Sequence, residues 1–236
     1  MKKLLSGFLM AGILFACSDK KSDKNFEITG TIKGLKKGTL YIQHIEDTAV
    51  VTIDTIKIDG NSSFSSAFDL KSPEMLYLYL DRGTSNTIDN RLQFFAEPGK
   101  LNIETDLELF YANAKITGSK NQELYEKYKK IASRYNDEQL LLTEERFKAL
   151  KSNNEAAILS NETKYNAILK RKYLYAINFA VTNKNYEVAP YIALSEINNA
   201  TTKYLDTINN CLSKKVAKSK YGILLKNYIA ERKKSE

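Results

Sequence analysis

Few side chains in the sequence are suited to catalysis or metal binding, and they lie far apart. His44 is the only histidine, and no second histidine or cysteine stands at metal-ligand spacing from it. The alternating residues around it predict a strand, so we interpret His44 as a sheet side chain. No CxxC, GxSxG, HExxH, Walker or GxGxxG pattern is present. We therefore expect no catalytic residue, no metal and no cofactor.

Acidic residues offer two further possibilities. Asp54 and Asp59, the latter followed by Gly60, resemble part of a calcium loop, but the alternating ligands and closing glutamate of an EF-hand are missing, which favours a turn. Two close carboxylates could act as acid and base if an apolar pocket made them differ in pKa. The close pairs are Glu144 with Glu145 and Glu104 with Asp106. They lie on predicted exposed faces, so we interpret them as solubilising charges.

Cys17 stands where a secretory signal would be cleaved. Lys2 and Lys3 precede an apolar run from Leu4 to Ala16, an order typical of a signal peptide over residues 1–16. The run is shorter than the roughly 20 apolar residues of a spanning helix. Leu14 three places before Cys17 and Ala16 directly before it resemble the lipobox of bacterial lipoproteins. The alternative is an ordinary secretory peptide with an incidental thiol.

Lipid on Cys17 would hold the protein at a membrane without any spanning helix. Residues 17–25 would form a polar, lipidated tether. We expect the cell envelope as the location, with the outer membrane facing either the periplasm or the cell surface. With Cys17 acylated, Cys211 has no disulfide partner. It shares a predicted helix face with Leu205 and Ile208, which favours a small core residue over a nucleophile.

The charge balance does not favour a nucleic-acid partner. The chain has 36 Lys plus Arg against 28 Asp plus Glu, a net charge of +8. The lysines recur among glutamates on predicted helical faces, and the compact basic cluster is confined to residues 232–234. A solvated basic surface explains this pattern better than a binding site for nucleic acid.

Residues 26–118 have the period of strands. Apolar residues alternate with polar ones through seven or eight short segments, with a change of phase between Ile53 and Ile56. Asp59-Gly60 suits a tight hairpin turn, and residues 75–80, apolar on both faces, predict a central strand. The fold class expected is α+β, with an amino-terminal antiparallel β-sandwich or open barrel.

Residues 119–236 have the period of helices and predict a separate all-α domain. Ser119 and Gln122 have the spacing of a capping box, and an apolar stripe follows them. The first helix is expected to end near Tyr135. Pro190 fits the first turn of its helix. Further helices are expected over residues 137–150, 154–183, 187–198, 201–213 and 219–233.

Several short segments carry a family resemblance. They are Phe26 to Ile32, Ile53-Asp54-Thr55 with Asp59-Gly60 and Phe64, Phe95 to Gly99, Ile116 to Ser119, and Lys218 to Gly222. Through them the strand half resembles the domain of unknown function that Bacteroidetes lipoproteins carry ahead of a TlpA-like thiol-disulfide oxidoreductase domain, and the helical half resembles the connector that follows. The chain ends at Glu236 without the thioredoxin-like domain, so the resemblance implies no catalytic residue here.

Three further segments resemble the Asp-Ser/Thr-apolar acceptor site of Bacteroidetes protein O-glycosylation. The acceptors would be Thr48, Thr55 and Thr207, each directly after an aspartate. The motif has only three residues, so chance occurrence is the alternative. An intact mass equal to polypeptide plus lipid would exclude glycosylation.

These observations predict a non-catalytic envelope lipoprotein that acts as a binding or assembly module. An edge strand of the sheet, or the seam between the two halves, would be its docking surface. One alternative is an accessory that docks a separate thioredoxin-like oxidoreductase. Another is a small-ligand or glycan receptor, for which the fifteen tyrosines would supply stacking surfaces. An enzyme of unknown type would need a buried carboxylate pair.

Overall fold

A computed structural model describes residues 23–83 and 88–235. The expected signal peptide, Cys17 and the tether as far as Ser22 lie outside the described residues. Within the described ranges, none of the helices has the length and apolar character needed to cross a bilayer.

Eight strands in the described part of the chain form two four-stranded sheets. The first sheet has the order β4-β1-β7-β8 and the second sheet the order β3-β2-β5-β6. The strands are β1 Phe26–Lys33, β2 Lys37–Glu46, β3 Ala49–Asp59, β4 Ser63–Phe68, β5 Glu74–Asp81, β6 Arg91–Ala96, β7 Gly99–Asp106 and β8 Lys115–Thr117. Neither sheet closes on itself, and helices follow the strands, so the expected α+β fold class is confirmed.

One strand pair departs from the antiparallel pattern expected. β1 and β7 run parallel, with Phe26 opposite Gly99 and Ile32 opposite Thr105, whereas the other strand pairs described are antiparallel. The two strands approach closely at Gly30, where a Cβ atom would lie 2.4 Å from the carbonyl oxygen of Ile103. A glycine is therefore required there for steric reasons.

The turn at Asp59-Gly60 does not close a hairpin, so this prediction was wrong. β3 pairs with β2 in the second sheet, whereas β4 pairs with β1 in the first sheet. Gly60 adopts a φ of +88°, but the chain uses this left-handed residue to cross between sheets. The expected change of phase in β3 is confirmed, because the register shifts there and leaves Ile53 unpaired between Thr52 and Asp54.

The first sheet covers the inner face of the second sheet and helices cover part of its outer face, which gives the molecule three layers. Leu76 and Leu78 of β5 face the first sheet and are fully buried in the core between the sheets. Met75 points the opposite way and is buried against the helices. β5 lies inside the sheet between β2 and β6. The central strand expected from its apolar residues on both faces is thus confirmed.

The helices are α1 Lys120–Lys151, α2 Glu155–Thr182, α3 Val188–Glu196, α4 Thr202–Cys211, α5 Lys214–Ala217 and α6 Lys220–Ser235. The break expected after Tyr135 is absent, and α1 continues for 32 residues. Asn136 and Asp137 lower helix propensity by less than about 1 kcal/mol each, which packing against α2 overrides. The expected capping box is only half formed, because Ser119 accepts a bond from the Gln122 N–H while the Gln122 side chain binds elsewhere.

Candidate functional site

Two tyrosines and an arginine form a row across the outer face of the second sheet, the face that points away from the first sheet. Tyr41 of β2 pairs with Tyr79 of β5, and Tyr79 pairs with Arg91 of β6. The two phenol rings stack with 6.0 Å between centroids at an interplanar angle of 25°. The Arg91 guanidinium carbon lies 5.9 Å from the Tyr79 ring centroid, within cation–π range. We call Tyr41, Tyr79 and Arg91 the tyrosine row.

The alternation of the strands places this row on the surface. Leu40, Leu78 and Leu92 point into the core, so the residues next to them point outward. The described helices contact this outer face at Met75, Tyr77 and Phe95, and the Tyr125 hydroxyl reaches Gln93. Tyr41 and Tyr79 are therefore half-buried and Arg91 is exposed. A surface of this composition can bind a partner, because tyrosine and arginine supply large contact area and directional hydrogen bonds.

Tyr77 stands between the tyrosine row and the helices. Its ring lies 5.7 Å from the Arg91 guanidinium carbon and packs against the helical core. Burial raises the pKa of the Tyr77 phenol, and the positive charge of Arg91 partly opposes this rise. Tyr77 thus remains protonated and can donate a hydrogen bond at neutral pH.

β3 is an edge strand beside the tyrosine row. It is eleven residues long, and its outer edge has no strand partner in either described sheet. Val50 is exposed and lies opposite exposed Ile45 of β2, on the same face as the row. Residues 49–56 contain neither proline nor lysine, the residues that commonly block pairing at an edge. The part of this edge that precedes the bulge at Ile53 can therefore accept an extended chain by strand addition.

The seam between the sheets and the helices is filled by aromatic side chains. Phe95 lies 5.6 Å from Tyr191 and 6.0 Å from Tyr221, measured between ring centroids. The Tyr221 hydroxyl accepts a hydrogen bond from the Met75 N–H at 2.9 Å, and Gln122 Oε1 accepts one from the Phe95 N–H at 2.7 Å. The two N–H groups thus donate to side chains of the helices instead of to a neighbouring strand. These side chains fill the middle of the seam.

Two glutamates meet where α1 and α3 begin, at the rim of the seam. Glu97 accepts a bond from the Lys120 N–H and a second from Asn121 Nδ2 at 2.6 Å. The same Asn121 nitrogen lies 3.1 Å from Glu187 Oε2. A pocket of about 340 Å³ opens beside them. Glu97 caps the start of α1, and Asn121 Oδ1 accepts from the Val188 N–H at the start of α3. Glu187 makes no capping bond, and its Oε1 is buried without a hydrogen-bond partner among the described residues.

His44 lies on β2 as expected, close to buried Glu74. His44 Nδ1 is 3.5 Å from Glu74 Oε2 but makes no hydrogen bond, whereas the Lys220 ammonium donates to the same oxygen. The described residues contain no group of three or more histidines, cysteines, aspartates or glutamates that could hold a metal ion. Glu74 and Lys220 instead form an ion pair that ties β5 to α6.

The acidic residues considered from the sequence serve local structure. Asp54 accepts bonds from the Thr55 N–H, at 2.8 Å, and from the Ser66 hydroxyl, which joins β3 to β4. Asp106 accepts bonds from the Asn113 amide and the Leu109 N–H, and these bonds lower its pKa. Glu144 pairs with Lys148, and hydrogen bonding to that lysine lowers the pKa of the Glu144 carboxyl. No acid–base pair forms in these positions.

The remaining residues considered from the sequence lie at or near the surface. Cys211 is half-buried, its thiol donates to the Ile208 carbonyl at 3.1 Å, and burial raises its pKa, which keeps the thiol protonated. Thr48, Thr55 and Thr207 are all exposed, so an enzyme could reach their hydroxyls. Their glycosylation stays a prediction. Thr55 is also the β3 neighbour of Tyr41, so a glycan there would cover part of the tyrosine row.

The strand half has a recognisable family signature. Residues 26–125 match the domain of unknown function DUF4369. The match covers all eight strands and the first turn and a half of α1, and it confirms the resemblance of this half to a domain of unknown function. No curated protein matches the chain.

The DUF4369 region includes every residue of the tyrosine row and the edge strand β3. It also includes Gln122 and Tyr125, the first residues of α1 that contact the sheet. The tyrosine row was not predicted from the sequence, because the fifteen tyrosines are spread over both halves of the chain. Its three members lie on different strands, and only the pairing of β2 with β5 and β5 with β6 brings them together.

Proposed function

We propose that this protein is a non-catalytic lipoprotein of the cell envelope, held by lipid on Cys17, and that it acts as a binding or assembly module for another protein. The binding surface is the tyrosine row together with the adjacent edge of β3. The observation that carries the proposal is the stacked Tyr41–Tyr79 pair with Arg91 beside it on a sheet face that the helices leave open.

Three physical properties of this surface suit a protein partner. Tyrosine and arginine are the residues most enriched among those that dominate binding energy at interfaces. The stacking and cation–π contacts hold the side chains in place before binding, which lowers the entropy cost of ordering them. The open edge of β3 adds backbone hydrogen bonds to an extended segment of the partner, and Val50 and Ile45 add apolar contact on the same face.

Photo-crosslinking in cells tests this proposal. A photoreactive phenylalanine analogue replaces Tyr41 in the full chain, and the matched control places it at Tyr111, which is 51% exposed and lies outside the tyrosine row. We expect a discrete protein adduct from position 41 that is absent from position 111. Equal adducts from both positions, or none from position 41, would contradict a protein-binding surface here.

The adduct also distinguishes the kinds of partner. A thioredoxin-like protein captured at position 41 would make this chain an accessory that docks a separate oxidoreductase. A component of a transport or assembly complex would instead indicate an assembly module. In either case Tyr41→Ser should reduce co-purification of the same partner with the tagged chain.

A glycan or small-ligand receptor is the second candidate, because two stacked phenol rings beside an arginine can also support a sugar ring. Screening of oligosaccharides by thermal shift would test it. A rise in melting temperature that Tyr41→Ser abolishes and Tyr111→Ser leaves unchanged would favour this candidate over a protein partner.

The lipid anchor has its own test, independent of the binding surface. Labelling with an alkyne fatty acid should mark the parent chain and not the Cys17→Ala variant, and the variant should leave the membrane fraction. A variant that stays bound to membranes would contradict anchoring through Cys17.

A further inference from the structure

The long helix α1 carries two parallel stripes of residues at heptad spacing. The first stripe faces the rest of the protein, and buried Leu142 and Ala149 belong to it. At Leu142 the α2 side chain Asn161 donates to the backbone carbonyl at 2.8 Å, so α2 packs along this stripe. The second stripe is displaced by one residue and lies on the open side of the helix. Its members are Asn136, Leu140, Thr143, Phe147 and Leu150.

Three of the five members of the second stripe are large apolar side chains that no described residue covers. Leu140 is 70% exposed and Phe147 is 67% exposed, and Leu150 is also exposed. Spacings of four, three, four and three residues keep these side chains on one side of a helix, as at the contact line of a coiled coil. Large apolar side chains aligned in this way on a soluble surface mark an interaction site.

The charges at the two ends of the stripe are opposite in sign, and Glu144, beside Thr143, is paired with Lys148 of the same helix. Acidic Asp137 and Glu138 stand at its start, and basic Lys148 and Lys151 stand at its end. Neither Asp137 nor Lys151 forms an ion pair with any other residue that the structure describes. If a second α1 lies antiparallel with Leu140 opposite Phe147, Asp137 falls within one residue of Lys151 of the other copy.

We propose that this stripe is the contact line of a homodimer, in which two copies of α1 pack antiparallel about a twofold axis near Thr143. Ends of opposite charge, with Leu140 and Phe147 on either side of the axis, suit an isologous interface, since each copy presents the same surface. The apolar part is short, so the contact belongs among small, reversible interfaces of less than about 1,200 Å² in total. The dimer does not depend on the tyrosine row.

Disulfide crosslinking of the full chain in membranes of the expressing cells tests the geometry. In a Cys211→Ser background, Thr143→Cys places a thiol next to the axis, where it meets its own counterpart. The matched control is Leu141→Cys, because Leu141 is 60% exposed and lies about 100° around the helix from Leu140, off the stripe. Oxidation should give a dimer band from position 143 several-fold stronger than from position 141. The Cys211→Ser chain without either new cysteine shows how much of the dimer band comes from Cys17.

Charge reversal then tests whether the partner is a second copy. In the Thr143→Cys chain, Asp137→Lys and Lys151→Asp should each weaken the dimer band several-fold. The two changes together should restore it. Equal bands at positions 141 and 143, a crosslink at 143 only to a protein of different mass, or no restoration in the double variant would each overturn the proposal. An unchanged melting temperature confirms that these exposed substitutions leave the fold intact.

Discussion

The outer face of the second sheet serves two purposes, one at each end. At one end Met75 and Phe95 are fully covered by helices, and Tyr191 and Tyr221 complete the core there. At the other end Tyr41 and Tyr79 stack beside Arg91, and none of the described helices packs over them. Tyrosine is thus a core residue in one place and a surface residue in the other. The extent of the helical layer, rather than the composition, determines which role a tyrosine takes.

The largest expected effect comes from truncating the covered end. Phe95→Ala should lower the free energy of unfolding by about 3–5 kcal/mol, because it leaves a cavity among packed rings. Tyr41→Ala at the open end should lower it by less than about 1 kcal/mol. Denaturant unfolding measures both.

The conservative change Phe95→Leu keeps this comparison usable if Phe95→Ala fails to fold, and it should still destabilise more than Tyr41→Ala. Equal losses at Phe95 and Tyr41 would show that the open end contributes to the core as much as the covered end does.

A smaller effect is expected from removing a single hydrogen bond at the covered end. Tyr221→Phe keeps the ring and deletes the hydroxyl that accepts from the Met75 N–H. The buried donor is then unsatisfied, which should cost about 1–3 kcal/mol. Tyr111→Phe is the matched control and should leave the unfolding midpoint unchanged. A loss shared equally by both variants would mean that the bond to Met75 does not hold the seam.

Alkaline pH should separate the two ends in a third way. Burial raises the pKa of Tyr125, Tyr191 and Tyr221 above the ordinary value for a phenol. The folded state then holds these protons more tightly than the unfolded chain. Their contribution to stability is complete below about pH 10, the unfolded pKa, and is lost as the pH rises above it.

The unfolding midpoint should therefore be lower at about pH 11 than at about pH 8. Tyr221→Phe should make this difference smaller. The same fall in parent and variant would assign the pH dependence to other groups, such as the lysines, and not to the covered tyrosines.

The sequence predicted the local elements better than their arrangement. Alternation located the strands, and the change of phase after Ile53 corresponds to the register shift in β3. It did not reveal that Gly60 leads to the other sheet, because a left-handed glycine suits a hairpin and a crossing equally well. The continuity of α1 past Asn136 was also missed, since two poor helix formers resemble a boundary in the sequence.

The candidate site was harder to predict for the same reason. Tyr41, Tyr79 and Arg91 are separated by 38 and 12 positions in the chain, and nothing in their local sequence relates them. They become one surface only through strand pairing. The edge strand was expected as a docking surface, and the structure shows that β3 has such an open edge. The seam, the other surface expected, is filled by tyrosines because helices pack on the sheet.

Co-purification of the partner identified by crosslinking, from cells whose chain carries Tyr41→Ser or Tyr111→Ser, tests the central claim most directly. The account predicts that Tyr41→Ser lowers recovery by about tenfold, equivalent to about 1.4 kcal/mol of binding free energy, with little change in melting temperature. Tyr111→Ser should recover the partner as the parent does. Undiminished recovery with Tyr41→Ser would contradict the assignment of the open end of the sheet as the binding surface.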